Sequence, residues 1–302
     1  LPIAGELPAN IEYVVGVDGG GSKTRARVIH VDGSLVGEGR AGASGLIAGV
    51  DNGWLSVQQA IMRAIQSSSD QNGLRVPLDR FAVGIGVAGA NNDNWRNNLI
   101  ASNPGFGALI VESDVLTALL GAHQSCPGSL VISGTGSIGQ ALHVDGNLIT
   151  VGGWGFPSGD EGSGAAMGLK AINMTQHAAD ARRAHTPLTL AVMESVASTG
   201  SSLLDWCCRA GQFEFASLAP IVFEFEHDDE LAAQILAETV VSVESLIDGA
   251  DPTQQLPLVM YGSIGERLKD RFSPGIQERI VDPFGDAMDG AIALFSLRGN
   301  KL

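Results

Sequence analysis

An aspartate that closes an apolar run directly before three glycines is equipped for phosphate and metal chemistry. Residues 15–24 read Val-Gly-Val-Asp-Gly-Gly-Gly-Ser-Lys-Thr. Successive N–H groups of such a turn can form an anion-binding nest. Asp18 can hold Mg²⁺ directly or through water, because hard cations prefer carboxylate oxygen. Lys23 is the cation best placed to reach phosphate. A second turn, Ile132-Ser133-Gly134-Thr135-Gly136-Ser137, offers another nest, with a hydroxyl and an N–H from Thr135. Two such nests facing each other suit the β- and γ-phosphates of a nucleotide. From Asn97 to Leu169 the chain runs 73 residues without a lysine or arginine. Phosphate bound there depends on backbone N–H groups, helix N-termini and a metal ion rather than on basic side chains.

Other glycine signatures fail on context. Gly16 to Lys23 approaches a P-loop, but serine stands where lysine must follow glycine, and Arg25–Val31 alternates like a strand where a P-loop opens a helix. Gly84-x-Gly86-x-x-Gly89 and Gly134-x-Gly136-x-x-Gly139 both match the dinucleotide pattern. The first lies inside an apolar strand pattern and the second runs into one, whereas the fingerprint must open a helix. A nicotinamide oxidoreductase therefore rests on the pattern alone. No nucleophile elbow, H-E-x-x-H or zinc spacing is present.

The elements that must hold these turns occur twice. Residues 15–39 and 130–153 each read as strand, glycine turn, strand, His-Val-Asp-Gly, leucine and a third strand. Matching order of elements argues duplication, with the first glycine turn two residues longer. Aspartate-glycine between apolar runs marks a hairpin. Helices are expected at 54–67, from Asp114 (as N-cap or in the first turn) to about His123, at 162–178, through most of 187–248, and at 284–297. Strands are expected at 81–88, 108–112 and 256–261, the last entering Gly262-Ser263. Strands interleaved with helices give an α/β architecture of two lobes and a cleft.

Composition bounds the rest. The chain has 302 residues, a net charge of −15, 44% hydrophobic residues and 40 glycines. Such acidity disfavours nucleic acid, and no apolar run reaches the roughly 20 residues of a membrane span. Gly134–Gly168 alone holds 11 of the glycines, placing the loops that wrap a ligand. The cysteines at 126, 207 and 208 form no framework and read as buried, reduced thiols of a cytoplasmic protein. The first 13 residues carry two acids and no base, unlike a signal peptide. The first residue is leucine, so native residues are expected ahead of it.

These residues resemble the superfamily of sugar kinases, actin and heat-shock ATPases. Gly16-x-Asp18-Gly19-Gly20-Gly21-Ser22-Lys23-Thr24 resembles its first phosphate motif, Ile132–Ser137 its second, and Val259-Met260-Tyr261-Gly262-Ser263 its adenosine motif. Gly152-Gly153-Trp154-Gly155 followed by Gly159-Asp160-Glu161-Gly162-Ser163-Gly164 is similar to the N-acetylglucosamine and glucosamine kinases, in the BadF-type ATPase group. The resemblance spans about residues 13–298. It implies two ribonuclease-H-like lobes around a nucleotide cleft, 11–115 with a C-terminal helix 285–300 packed back on it, and 116–284. It implies ATP and Mg²⁺ as cofactors, small-molecule partners and a homodimer.

The same resemblance assigns roles. Asp114, in Glu112-Ser113-Asp114, matches the general base toward a sugar 6-hydroxyl. Asp160 matches a carboxylate that binds sugar hydroxyls, with Glu161 binding sugar or simply starting the helix. Trp154 packs on the sugar ring, and Gly153 and Thr135 frame the pocket. The nucleotide falls to Gly20, Gly21, Ser22, Lys23, Thr24, Thr135, Gly136, Gly262 and Ser263, and the metal to Asp18. In a loop that the resemblance places against the sugar, with Ser44 among the substrate-binding residues, Ser44 and Leu46 stand where animal N-acetylglucosamine kinases have asparagine and tryptophan. That departure leaves N-acetylglucosamine, glucosamine and other hexoses open. The cysteine-rich zinc motif of repressor-type sugar kinases is absent. The leading expectation is an ATP-dependent amino-sugar 6-kinase of carbohydrate metabolism. The alternative is an energy-coupling ATPase of the reductase-activator type, which drives a protein partner and needs an iron–sulfur cluster held by cysteines between subunits.

Overall fold

The computed structural model describes residues 7–67 and 76–297; residues 298–300 of the expected last helix lie outside them. The described residues divide into two compact units. One is drawn from 1–128, 142–147 and 282–302, the other from 129–141 and 148–281.

In the first unit, β1 (Tyr13–Gly19), β2 (Thr24–His30), β3 (Leu35–Ala41), α1 (Val50–Gln66), β4 (Phe81–Val87), α2 (Asp93–Ala101), β5 (Ala108–Ser113) and α3 (Asp114–Ala122) follow one another. The sheet order is β3-β2-β1-β4-β5. β2 runs antiparallel to β1 and β3, whereas β4 is parallel to β1 and β5. This is the ribonuclease-H-like order that the resemblance implies. The apolar stripe of α1, Trp54, Val57, Ala60, Ile61, Ala64 and Ile65, is buried at helical spacing. It meets Val15, Val17, Val83 and Ile85 from one face of the sheet.

The other face explains the first false dinucleotide pattern. Gly16 and Gly84 are register partners on β1 and β4. The last helix, Ala287–Leu297, lies so close that a Cβ at either would meet the carbonyl oxygen of Met288 or Ala291. Glycine is there to admit helix backbone, not a ligand. The last helix also packs on α3, where a Cβ at Gly290 would meet the Thr117 carbonyl. α3 therefore belongs to the first unit, and the division falls after 128 rather than after 115.

In the second unit, β6 (Gly128–Ser133), β7 (Ser137–Leu142) and β8 (Leu148–Gly152) repeat the opening hairpins. They are followed by α4 (Gly164–Ala179), α5 (Pro187–Ser198), α6 (Leu203–Arg209), α7 (Gln212–Ala216), α8 (Ala219–Glu224) and α9 (Glu230–Ala250). β9 (Leu258–Tyr261), α10 (Ser263–Leu268) and α11 (Pro274–Gln277) close the unit. The order is β8-β7-β6-β9, with β9 parallel to β6. Its core gathers Met167, Ile172, Leu188, Val222, Ile235 and Ile247.

The duplication holds at the level of single hydrogen bonds. In the two His-Val-Asp-Gly turns, Gly33 N–H donates to His30 O and Gly146 N–H to His143 O, at 2.8 and 2.9 Å. Asp32 Oδ1 accepts from Ser34 N–H, and Asp145 Oδ1 from Asn147 N–H, at 2.8 and 3.0 Å. Among the described residues no helix is long and apolar enough to cross a membrane. Cys126, in a loop, and Cys208 are exposed, contrary to the expectation of burial, and Cys207 is half-buried against the core of the second unit.

Candidate active site

The first glycine turn spans Gly20–Lys23, between β1 and β2. Gly20 N–H closes it on Lys23 O at 2.9 Å, and Gly20 O accepts from the N–H groups of Ser44 and Gly45, each at 3.1 Å. Gly21, Ser22 and Lys23 are exposed. Thr24 and Ser44 are not. Thr24 is buried; its Oγ1 donates to Gly42 O at 2.6 Å and pairs with Ser44 Oγ at 2.8 Å, where the Ser44 hydroxyl is the donor. Ser44 is 1% exposed. The two hydroxyls thus lie beneath the turn and brace it.

Asp18 lies beside Arg25, its register partner on β2. Arg25 Nε and Nη2 both donate to Asp18 Oδ2, at 3.0 and 2.8 Å. Arg25 also reaches Asp286, as does Arg27. The alternation of β2 gave no hint of this clamp, since an arginine at every second position reads as a solvated strand face.

Asp114 stands in the first turn of α3, not at its N-cap. Ser113 caps the helix, its Oγ accepting from Leu116 N–H at 3.3 Å. Val115 N–H donates to Asp114 Oδ1 at 3.0 Å. Burial pushes the Asp114 carboxyl above the ordinary range, the negative charge of Asp18 adds to the rise, and the Val115 bond opposes it.

The second turn, Gly134–Gly136, is one residue shorter than the first, not two, since β7 begins at Ser137 itself. Gly134 N–H closes it on Gly136 O at 2.9 Å, and Gly134 O accepts from Gly164 N–H at 2.7 Å. Ala165 N–H donates to Thr135 O at 3.3 Å. The first N–H groups of α4 thus engage the turn's own carbonyls. Ser137 Oγ donates to Glu161 O at 2.6 Å, which makes Thr24 rather than Ser22 its counterpart.

Asp160 is 4% exposed and sits in the left-handed region, φ 65°. Its Oδ1 accepts from Ser137 N–H at 3.3 Å and its Oδ2 from Gln212 Nε2 at 2.6 Å. Burial pushes the Asp160 carboxyl above the ordinary carboxylate range; N–H bonds from Ser137 and Gly155 oppose the rise and the charge of Glu161 adds to it. Trp154 is 85% exposed, on a loop where Gly152, Gly153 and Gly155 all take positive φ. Gln212 lies 52 residues from Asp160, a separation with no periodic signature, so sequence reasoning passed over it.

Gly262 precedes α10 at φ 91°, and a Cβ there would meet the Ser133 carbonyl oxygen. This brings the adenosine-like motif against the second turn. Beside them lies a cavity of about 160 Å³ lined by Gly134, Thr135, Pro220, Ser263 and Arg267. The Arg267 guanidinium rests 3.8 Å over the Phe223 ring, a cation–π contact that fixes its plane. A larger hollow of about 300 Å³, lined by Met62, Ile65, Leu78 and Phe106, is apolar and carries none of the motif residues.

Known proteins similar to this chain include sugar kinases. Glucosamine kinase GspK of Vibrio cholerae is 35% identical over 93% of this chain and 95% of its own. The N-acetylmuramic acid/N-acetylglucosamine kinase of Clostridium acetobutylicum is 30% identical over 79% of this chain and 80% of its own. Among solved structures, a candidate N-acetylglucosamine kinase from Chromobacterium violaceum superposes with a TM-score of 0.87 at 39% identity, covering 95% of this chain and 99% of that one. Residues 15–284, from the first glycine turn to beyond the adenosine-like motif, match one family model, and the chain belongs to the BadF/BadG/BcrA/BcrD ATPase family.

Proposed function

We propose that this chain is an ATP-dependent kinase that phosphorylates the 6-hydroxyl of an amino sugar, glucosamine or N-acetylglucosamine. The single observation that carries the reading furthest is Asp114, a carboxyl held above its ordinary range at the start of α3 and within the field of Asp18. A carboxylate poised in this way accepts a hydroxyl proton as the oxygen attacks phosphorus. The relatives named as glucosamine and N-acetylglucosamine kinases support the choice of acceptor.

In this reading the first unit supplies Asp114 as base, the N–H groups of Gly21 and Ser22, and Lys23 against phosphate, with Gly20 closing the turn that presents them. The second supplies Thr135 and Gly136 for phosphate, Gly262 and Ser263 for the adenosine, and Asp160, Gly153 and Trp154 for the sugar. Thr24 and Ser44 act through the turn they brace. Asp18 fits a divalent cation: Arg25 engages Oδ2 alone, which leaves Oδ1 as a hard oxygen donor. Bound there, Mg²⁺ would neutralise charge on the phosphates.

The test is an ADP-release assay against glucosamine, N-acetylglucosamine, glucose and 6-deoxyglucosamine. ADP release should rise at least about tenfold with one of the two amino sugars and stay at baseline with the 6-deoxy analogue. ADP release indifferent to every sugar would overturn the kinase reading in favour of the energy-coupling ATPase.

A further inference from the structure

Asp160 is an unusual carboxylate. It is buried, its backbone is left-handed without being glycine, and every partner that holds it is neutral. A left-handed aspartate is uncommon and persists where its surroundings over-determine it. Here they do so from two sides. Ser137 N–H fixes Oδ1 at 3.3 Å and Gln212 Nε2 fixes Oδ2 at 2.6 Å. Gly155 N–H is a third neutral donor, so of the roughly four acceptor sites of a carboxylate one is left for a further donor.

Gln212 has a firm platform. It opens α7, whose Phe215 is buried with its ring centroid 5.1 Å from Phe156 and 5.2 Å from Trp206. Phe156 belongs to the same loop as Asp160. The loop and α7 are therefore tied twice, ring to ring and amide to carboxylate. The pair also closes over the second turn, since a Cβ on Gly136 would stand 2.9 Å from both Asp160 Oδ2 and Gln212 Nε2.

We propose that Gln212 is the positioning residue for sugar recognition, aiming the Asp160 carboxylate at sugar hydroxyls while leaving its charge uncancelled. This rests on the reading of Asp160 as a sugar ligand. A lysine or arginine in its place would orient Asp160 as well, but would neutralise it and compete for the same lone pairs. An amide donor orients without discharging. The carboxylate then offers polyol hydroxyls a charged acceptor, which makes the stronger hydrogen bonds. Among the described residues the charge that acts on Asp160 is Glu161 beside it in the loop; Glu214, on the helix that carries Gln212, is held by Gly211 N–H at 2.8 Å.

The experiment compares Gln212→Met, Gln212→Glu and Asp160→Asn in the full chain, using whichever of glucosamine and N-acetylglucosamine is turned over. Gln212→Met should raise the sugar KM about tenfold, with kcat and the ADP dissociation constant within about twofold. Gln212→Glu places two carboxyls together, so its sugar KM should improve as pH is lowered from 8 to 5.5 and the pair comes to share a proton; the wild-type KM should not. Folding of each variant is checked by thermal melting. If Gln212→Glu does not fold, the Met variant decides alone, and if Met does not fold, the pH profile of the Glu variant decides. A Gln212→Met enzyme with unchanged sugar KM, or with kcat and ADP affinity falling in step with it, overturns the role of Gln212. If Asp160→Asn raises the sugar KM while the Gln212 variants do not, only the positioning inference fails. If Asp160→Asn leaves the sugar KM unchanged, the assignment of Asp160 as a sugar ligand fails, and the positioning inference with it.

Discussion

The two glycine turns are built on one plan and differ in their charges. In each, a glycine N–H closes the turn, and the same glycine's carbonyl receives N–H groups from a downstream segment, Ser44 and Gly45 in one case and Gly164 in the other. In each, the hydroxyl that opens the following strand donates to a carbonyl of that downstream segment: Thr24 to Gly42, and Ser137 to Glu161. The backbone scaffold survived duplication. The first turn gained Lys23 and an ion pair beside it, Asp18 with Arg25. The second has a carboxylate, Asp160, held only by neutral donors. A nest of N–H groups is indifferent to side chains, so the polar groups around it are free to diverge.

The sharpest way to break the comparison is at Asp114, which belongs to the first unit and has no counterpart in the described repeat. Asp114→Asn should lower kcat about 10²–10⁴-fold while ATP binding, read by calorimetry, persists. Retained turnover would remove the base from the first unit.

A second, smaller contrast sets the two aspartate–arginine pairs against each other. Asp251 is 0% exposed, and Arg279 Nη2 meets its Oδ2 at 2.8 Å. The side chains of Arg25 and Asp18 are 29% and 22% exposed. Arg279→Met should cost about 3 kcal/mol or more in urea unfolding, because it strands a buried carboxylate. Arg25→Met should cost less than about 1 kcal/mol while weakening Mg²⁺-dependent ADP binding. Equal losses would mean the second pair is no more structural than the first.

The smallest expected effect is a difference in acid response. Burial would raise Asp251, but hydrogen bonds from Thr253 and Leu256 and the charge of Arg279 win and hold it below 3.8. Its stabilisation is present above 3.8 and is lost as pH falls through the lowered value. Asp114 is raised, so its contribution is complete below 3.8 and disappears as pH rises through the raised value. Acid should therefore loosen the surroundings of Trp206, in the second unit, before those of Trp54, in the first, as followed by fluorescence of single-tryptophan variants.

What was legible in the sequence was what repeats locally. The strand–turn–strand units, the hairpin turns and the helix after Ser113 follow from alternation, glycine and capping chemistry, all short-range. Helix α1 begins at Val50 rather than 54 because Gly49, at φ 97°, allows the chain to turn into it early. The stretch 187–248 resolves into five helices, as Gly200 and Gly211 interrupt it, Pro220 opens α8 and Asp229 caps α9. What was not legible came from pairing across the chain. Arg25 meets Asp18 through strand register, Gln212 meets Asp160 over 52 residues, and Thr24 and Ser44 are turned inward by each other. None leaves a trace in spacing.

The return of the last helix to the first sheet has a consequence for how the chain is made. The ribosome releases residues 129–281, the bulk of the second unit, before Ala287–Leu297. Until that helix emerges, the β1–β4 face bearing Gly16 and Gly84 lacks its cover. The unit whose synthesis starts first is thus the last to be completed, against the usual order in which N-terminal domains finish ahead of those that follow. A chain truncated at residue 285 would keep the segments of the second unit and lack the helix that covers the first sheet.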